Sequence, residues 1–168
     1  MSERTFPNWY AVYTASRAEK KVSERLTQAG IEHYLPLQTV IRVWSDRRKK
    51  VEVPVISGYL FVHIPESEIA RVRTVPGVAF FLREFGHPAV IPDVQIETLR
   101  FMVGNAEEPV EFTPEQFVPG DAVRVTRGQL AGMVGELVQL QGKYKVALRI
   151  ASFGCALVNV PIGSLEKL

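Results

Sequence analysis

Residues 51–64 read VEVPVISGYLFVHI, and the second half of this stretch decides the fold. From Tyr59 to Ile64, ring-bearing and aliphatic side chains alternate with the period of two that is typical of a β-strand. One side of this strand carries Tyr59, Phe61 and His63, and the other carries Leu60, Val62 and Ile64. Because both sides are largely apolar, we expect a central strand with helices on its aliphatic side and a second layer or a binding partner on its aromatic side.

The composition is that of an ordinary globular protein. The chain has 168 residues, of which 46% are hydrophobic and 23% charged, enough for one sizeable domain or two small ones. No apolar run is long enough to span a bilayer, and residues 1–7 are polar, so we expect a cytoplasmic protein without a membrane partner. Cys155 is the only cysteine, which excludes an intramolecular disulfide and a zinc site made of cysteines.

The residues before the central strand predict a strand, a helix and a hairpin. Residues 9–13 are strongly β-prone, and Ser16 followed by Glu19 predicts a capping box at the start of a helix. Apolar residues then recur at helical spacing until Gly30, which suits a left-handed helix end. Residues 38–45 are extended and are followed by a basic run at 46–50, which predicts a β-hairpin with a charged tip.

The remainder of the chain predicts two further helices, a linker and a β-rich end. A short helix with Ile69 and Val72, a strand at 78–82 and a helix begun by Asp93 complete an α+β fold with a mainly antiparallel sheet. Residues 104–117 are acidic and rich in proline, which indicates a linker. From residue 118, short β runs separated by glycines predict a small all-β barrel. The expected domains are therefore 1–103 and 118–168, joined by the linker at 104–117.

Several motifs resemble those of one protein family. The runs WYAVY at 9–13, GYLFV at 58–62 and VPGV at 75–78 occur in the order and spacing of the N-terminal domain of NusG-type transcription elongation factors. The run PGDAVRV at 119–125, followed by Gly128, Gly132 and Gly135, resembles the KOW motif that ends the same family. Within the family, YLP at 34–36 and WSDR at 44–47 resemble specialised, operon-dedicated paralogues such as the RfaH and capsule-locus (UpxY) antiterminators.

This resemblance implies a factor that acts by binding and not by catalysis. Family members bind the clamp helices of RNA polymerase in an apolar pocket on the N-terminal domain, suppress pausing, and recruit a ribosomal protein or Rho through the C-terminal barrel. Position in the motifs places Tyr59, Phe61, Phe81, Phe85 and Ile96 in or beside that pocket. The alternative is that these side chains fill the core of the domain. Where the family usually has Phe-Pro-Gly-Tyr before the strand, this chain has Ile56-Ser57-Gly58-Tyr59.

Basic residues mark two candidate sites for nucleic acid, either non-template DNA or nascent RNA in the elongation complex. The first site, where similar paralogues contact the non-template strand, comprises Tyr13, Arg17, Lys20 and Lys21 near the start of the first helix. The second comprises Arg47, Arg48, Lys49 and Lys50 in the hairpin. In both cases the alternative is a solvated charged surface.

A second function remains open, namely a KOW-containing RNA-binding protein associated with ribosomes or leader RNA. It would bind RNA tightly without polymerase. A hydrolase that uses Cys155 or a histidine has the least support, because His33, His63 and His87 lie in different predicted elements without metal-ligand spacing. We therefore expect a monomeric protein that is not an enzyme and that needs no cofactor or metal.

Overall fold

The computed structural model describes residues 6–115, 118, 120–151 and 153–168. Its strands are, in chain order, β1 Asn8–Thr14, β2 His33–Tyr34, β3 Leu37–Trp44, β4 Arg47–Pro54, β5 Tyr59–Ile64, β6 Val78–Phe81, β7 Arg83–Glu84, β8 His87–Pro88, β9 Val90–Ile91, β10 Glu111–Thr113, β11 Ala122–Val125, β12 Val134–Leu140, β13 Lys143–Ile150, β14 Gly154–Val158 and β15 Leu165–Lys167. Its helices are α1 Glu19–Gln28, α2 Ile69–Arg73 and α3 Asp93–Asn105. Within the described ranges no helix is long and apolar enough to cross a membrane.

Three sequence predictions extend outside the described residues. They are the first residues of the domain expected at 1–103, the end of the expected linker at Gln116 and Phe117, and Pro119 of the C-terminal motif. The other predicted elements can be compared with the structure. The α+β fold class, with antiparallel sheets, few helices and a small C-terminal β domain, is confirmed.

The chain groups into two compact units. One contains the chain up to Pro36 together with Ile56–Ile96, and the other contains Leu37–Val55 together with Glu97–Leu168. The expected linker holds regular structure, because α3 continues to Asn105 and β10 joins a sheet. The boundaries expected from composition, at 103 and 118, stay a prediction.

The sheet of the first unit is built around β5, as predicted. Its order is β2-β5-β1-β6, with β9 also paired to β1, and every pairing is antiparallel. The aliphatic side of β5 packs on helices α1 and α2, because these helices bury the apolar stripes that their spacing predicts. This core comprises Tyr10, Val12, Val22, Leu26, Ile31, Leu60, Val62, Ile64, Ile69, Val72 and Phe81.

Helix α1 ends at the glycine that the sequence predicts. Gly30 has a φ of 71°, and its N–H donates to the Thr27 carbonyl at 3.0 Å. The N–H of Ile31 donates to the Leu26 carbonyl at 2.9 Å, which completes a Schellman motif. The side chain of Ile31 is buried, so the same turn leads the chain from the helix back into the core.

The hairpin of β3 and β4 is confirmed, but the predicted position of its charged tip is wrong. Trp44 pairs with Arg47, so that Ser45 and Asp46 alone form the turn, and residues 47–50 belong to β4. Serine and aspartate are favoured in turns because their side chains bond to nearby backbone, whereas lysine and arginine suit an exposed strand. The basic side chains therefore alternate between the two faces of a ribbon.

The C-terminal β domain is a six-stranded antiparallel sheet with the order β10-β14-β13-β12-β11-β15. Its buried cluster contains Val138, Ala147, Cys155 and Leu157. The β runs predicted from residue 122 onwards correspond to β11, β12, β13 and β14. Inside the sheet, Arg149 donates to the Glu136 carboxylate from Nε at 3.0 Å and from Nη2 at 3.2 Å. These bonds join the neighbouring strands β12 and β13.

Candidate functional site

Three aromatic side chains form a cluster on the side of the sheet opposite helix α1. Tyr13 of β1 pairs with Tyr59 of β5 on one side and with Phe80 of β6 on the other. The Tyr13 ring centroid lies 5.0 Å from that of Tyr59 and 4.7 Å from that of Phe80. Directly paired residues share a face of an antiparallel sheet, so all three point away from the helix-side core. We call Tyr13, Tyr59 and Phe80 the aromatic cluster.

The aromatic cluster is accessible from solvent. Tyr13 is 36% exposed and Phe80 51% exposed, while Tyr59 is half-buried. Burial, helped by the neighbouring Tyr13 phenol, raises the pKa of Tyr59 above its ordinary value. Apolar rings with a polar edge are the side chains that protein interfaces favour.

Gly58 allows the aromatic cluster to pack tightly. It has a φ of 83°, and a Cβ at this position would lie 3.1 Å from Cε2 of Tyr13. The Gly58 carbonyl also accepts a 2.8 Å hydrogen bond from the backbone N–H of Thr14. The glycine of the family motif is thus retained where the Tyr13 ring lies over the backbone, although the two residues before it differ from that motif.

The structure separates the five residues predicted for the polymerase pocket. Tyr59 belongs to the aromatic cluster, and Phe61 shares its face of the sheet but is fully buried. Phe81 packs in the helix-side core on the opposite face. Phe85 occupies the turn between β7 and β8, where it is 94% exposed, and Ile96 is buried in α3. Only Tyr59 and Phe61 of the five therefore share this face of the sheet.

Phe80 is the member of the aromatic cluster that the sequence analysis missed. Strand alternation requires Phe80 and Phe81 to face opposite sides, but their spacing does not say which one joins the core. The structure decides this through the register, since Val12 pairs with Phe81 and Tyr13 pairs with Phe80. To find Phe80 from the sequence, one would have needed to know which residues of β6 pair with which residues of β1.

The predicted capping box at the start of α1 is wrong. Ala18 is the N-cap residue and no side chain caps the helix, which begins at Glu19. The chain first makes a turn, closed by the 3.0 Å bond from Ala18 N–H to the Ala15 carbonyl, in which Arg17 has a φ of 58°. Because Ser16 lies inside this turn, two residues before the N-cap, its hydroxyl does not cap the helix.

Arg17, Lys20 and Lys21 are exposed around this turn and the first turn of α1. Tyr13, which was predicted to act with them, belongs to the aromatic cluster on the face of the sheet opposite helix α1. Glu19 is buried in the same turn, and its Oε1 has no hydrogen-bond partner among the described residues. The assignment of these basic residues and Tyr13 to nucleic acid stays a prediction.

The hairpin presents two chemically different faces near its tip. Pairing of Trp44 with Arg47 and of Arg42 with Lys49 places these four side chains on one face, which we call the Trp44 face. The Lys49 ammonium lies 5.9 Å from the centroid of the Trp44 ring. The other face, which we call the Val43 face, carries Ile41, Val43, Arg48 and Lys50.

The described histidines other than His87 have structural partners. His33 Nδ1 donates to the Ile31 carbonyl at 2.9 Å, and its Nε2 shares a hydrogen bond with the Ser23 hydroxyl at 2.7 Å. His63 stacks on Trp9 with ring centroids 4.7 Å apart and lies 2.9 Å from a Glu32 carboxylate oxygen. Among the residues that the structure describes, no three metal-ligating side chains come together.

Comparisons with known proteins agree with this fold. A family model described as "Transcription termination factor nusG" matches residues 7–100, more than half of the chain. The transcription termination/antitermination protein NusG of Staphylococcus carnosus is 27% identical over 177 residues, which cover 95% of each chain. That of Rickettsia conorii is 25% identical over 167 residues, which cover 92% of this chain and 86% of its own.

A solved structure shows the same fold over the whole length. It is titled "Domain interaction in Thermotoga maritima NusG", and the match covers 98% of this chain and 99% of that one. The TM-score is 0.56 at 21% sequence identity. With the family model matching most of the first unit, the chain belongs to the NusG family of transcription termination/antitermination factors.

Proposed function

We propose that this protein is a transcription elongation and antitermination factor that binds RNA polymerase through the aromatic cluster. The observation that supports this most directly is the exposure of the two neighbouring rings Tyr13 and Phe80 on the face of the sheet opposite helix α1. Exposed aromatic groups of this kind are typical anchors for a partner helix laid across them. In the NusG-type factors that this chain resembles, such a surface receives the clamp helices of polymerase, and we propose the same partner here.

The mechanism that we propose is differential binding. Tyr13 and Phe80 supply apolar contact, and Tyr59 extends the cluster on the other side of Tyr13. A factor that binds the closed clamp more tightly than the open clamp disfavours the paused state. About 1.4 kcal/mol of such preference changes that equilibrium tenfold, so a surface of modest size is sufficient.

A second contact, to nucleic acid in the elongation complex, uses the basic residues near α1. Replacing Arg17, Lys20 and Lys21 with alanine should leave binding to bare polymerase nearly unchanged. The same triple substitution should weaken engagement with a complex that exposes non-template DNA or nascent RNA, most strongly at low salt. Equal binding of the triple variant and the wild type to that complex would assign these residues to a solvated helix surface.

The C-terminal β domain recruits the second partner in this proposal. Its residues from 118 onwards resemble the KOW module through which the family recruits a ribosomal protein or Rho. The runs at 34–36 and 44–47 favour a specialised antiterminator over a general factor. Residues 1–103 and 118–168 would then act as separate modules of a cytoplasmic monomer.

Binding to core polymerase tests the proposal against its main alternative. Full-length protein should bind core polymerase in the absence of RNA and should reduce pausing in a single-round elongation assay. A KOW-containing RNA-binding protein would instead bind leader or ribosomal RNA tightly and ignore polymerase. Tight RNA binding without measurable polymerase binding would therefore reject the proposed function.

A further inference from the structure

The Trp44 face of the hairpin combines cations with an exposed ring. Arg42, Arg47 and Lys49 are all exposed, and Trp44 among them is 49% exposed. We propose that this face binds single-stranded nucleic acid, with a base stacked on Trp44 and the backbone phosphates held by the three cations. This inference rests on the proposed function only in placing the binding event in transcription. The chemical class of the ligand is inferred from the side chains of the hairpin.

Charge is the first argument for a nucleic-acid ligand. Arg42 lies directly opposite Lys49, and like charges in that position destabilise a β-ribbon. Arg47 lies on the same face two residues before Lys49, about 6.7 Å away along the strand. Arg47 Nε lies 4.0 Å from a carboxylate oxygen of Asp46, and both side chains are well exposed. A polyanion that bridges these cations would relieve their repulsion.

The ring of Trp44 distinguishes a single strand from a duplex. Base stacking on an aromatic side chain needs an unpaired base, whereas a duplex offers its phosphates but keeps its bases stacked on each other. Trp44 lies at the end of the ribbon, beside the turn, with Lys49 close to its ring. Proteins that bind single strands combine basic side chains with a stacking ring in this way.

The hairpin is anchored at the end opposite Trp44, so that its faces have fixed positions within their unit. Gln38 Nε2 donates to the Val110 carbonyl at 3.0 Å, and the Val110 N–H donates to Gln38 Oε1 at 2.8 Å. The side chain of Gln38 thus pairs with backbone in the manner of another strand. Because Val110 is buried, this anchor holds the base of the ribbon against the remainder of its unit.

The Val43 face provides a matched control within the same ribbon. It also carries two cations, Arg48 and Lys50, but its apolar residues are the aliphatic Ile41 and Val43. Removing Arg48 and Lys50 changes the net charge by the same amount as removing Arg42 and Lys49. A difference between the two double variants therefore reports on the face and not on overall charge.

The test measures binding of full-length protein to a labelled oligothymidylate by fluorescence anisotropy across a salt series. Arg42→Gln/Lys49→Gln should weaken binding at least about tenfold at low salt and reduce the slope of log affinity against log salt by about 1.4, or 0.7 for each cation. Arg48→Gln/Lys50→Gln should stay within about twofold of wild type. Trp44→Ala should weaken binding about tenfold with an unchanged salt slope, and Trp44→Phe should restore most of the loss.

Four results would overturn the inference. They are equal losses in the two double variants, wild-type affinity in Trp44→Ala, preference of the wild type for the annealed duplex, and absence of binding by the wild type. Thermal melting of each variant shows whether the fold is retained. Polymerase affinity of the same proteins separates the two proposals, because a wild type that fails to bind polymerase rejects the proposed function while leaving the oligonucleotide test intact.

Discussion

Two adjacent phenylalanines of β6 provide the sharpest test of the aromatic cluster, because they face opposite sides of the sheet. Phe81→Ala removes a ring that is buried among the helix-side core residues, which should lower the free energy of unfolding by about 3–5 kcal/mol. Phe80→Ala removes a half-exposed ring that stacks on Tyr13, with the two ring centroids 4.7 Å apart. Its cost should be about 0.5–1.5 kcal/mol, the value of one aromatic pair.

Polymerase affinity should show the opposite order. If Phe80 is an anchor, Phe80→Ala should weaken binding to core polymerase by about 1–4 kcal/mol, at least fivefold in affinity. Phe81→Ala should bind with nearly wild-type affinity per folded molecule. The two variants are compared by calorimetric melting and by titration of polymerase, with each affinity corrected for the folded fraction at the assay temperature.

Two outcomes would refute this reasoning. Equal loss of stability in both variants would mean that the register of β6 against β1 is not the one that places Phe80 on the exposed side. Undiminished polymerase affinity in Phe80→Ala would mean that the aromatic cluster is not the contact surface, even if the register is correct.

Three further predictions concern stability and reactivity. Gly58→Ala should lower stability by about 1–3 kcal/mol in thermal melts, since a side chain at a φ of 83° is strained and meets Tyr13; an unchanged melt would contradict this. Hydrogen bonds from Arg149 lower the pKa of Glu136 below its ordinary value of 4.5. The ionised carboxylate therefore stabilises the fold at pH values above 4.5, and this contribution is lost as the pH falls through the lower pKa of the folded state. Glu136→Gln should therefore cost about 1.5–3 kcal/mol at neutral pH and flatten the acid side of a urea-unfolding profile, whereas an unaltered profile would rule the linkage out. Burial raises the pKa of the Cys155 thiol, so a disulfide reagent at about pH 8 should modify it only on unfolding, and rapid modification of native protein would disprove its burial.

Patterns that depend on one element alone could be predicted from the sequence. The alternation from Tyr59 to Ile64 is sufficient to identify a strand with two apolar sides, and β5 lies between two neighbours as that pattern requires. The end of α1 was also predictable, because Gly30 adopts the left-handed conformation that most residues avoid. In both cases the physical cause lies within a few residues of the pattern.

Features that depend on a second element could not be predicted. The choice between Phe80 and Phe81 needs the register of β6, which is set by pairing with β1 and includes an irregularity after Tyr13. The same limit applies to the hairpin, where the run at 46–50 was predicted as the tip although the register confines the turn to Ser45 and Asp46. A shift of one residue moves every side chain to the other face, so small errors of this kind rearrange a site.

The C-terminal β domain shows why local and tertiary preferences can make one fold dominant. A helical form of residues 122–150 would place four glycines inside helices, at a cost of about 1 kcal/mol each. These glycines are Gly128, Gly132, Gly135 and Gly142. In the β structure they are favourable: at Gly135, for example, a Cβ would lie only 2.8 Å from the Ala147 carbonyl oxygen, so glycine allows β12 and β13 to approach. A helical form would also lose the bonds between Glu136 and Arg149 across those strands. A helical form would need other contacts whose free energy offsets both the cost of the glycines and the loss of these bonds. We therefore expect the β form to be the resting state of this domain.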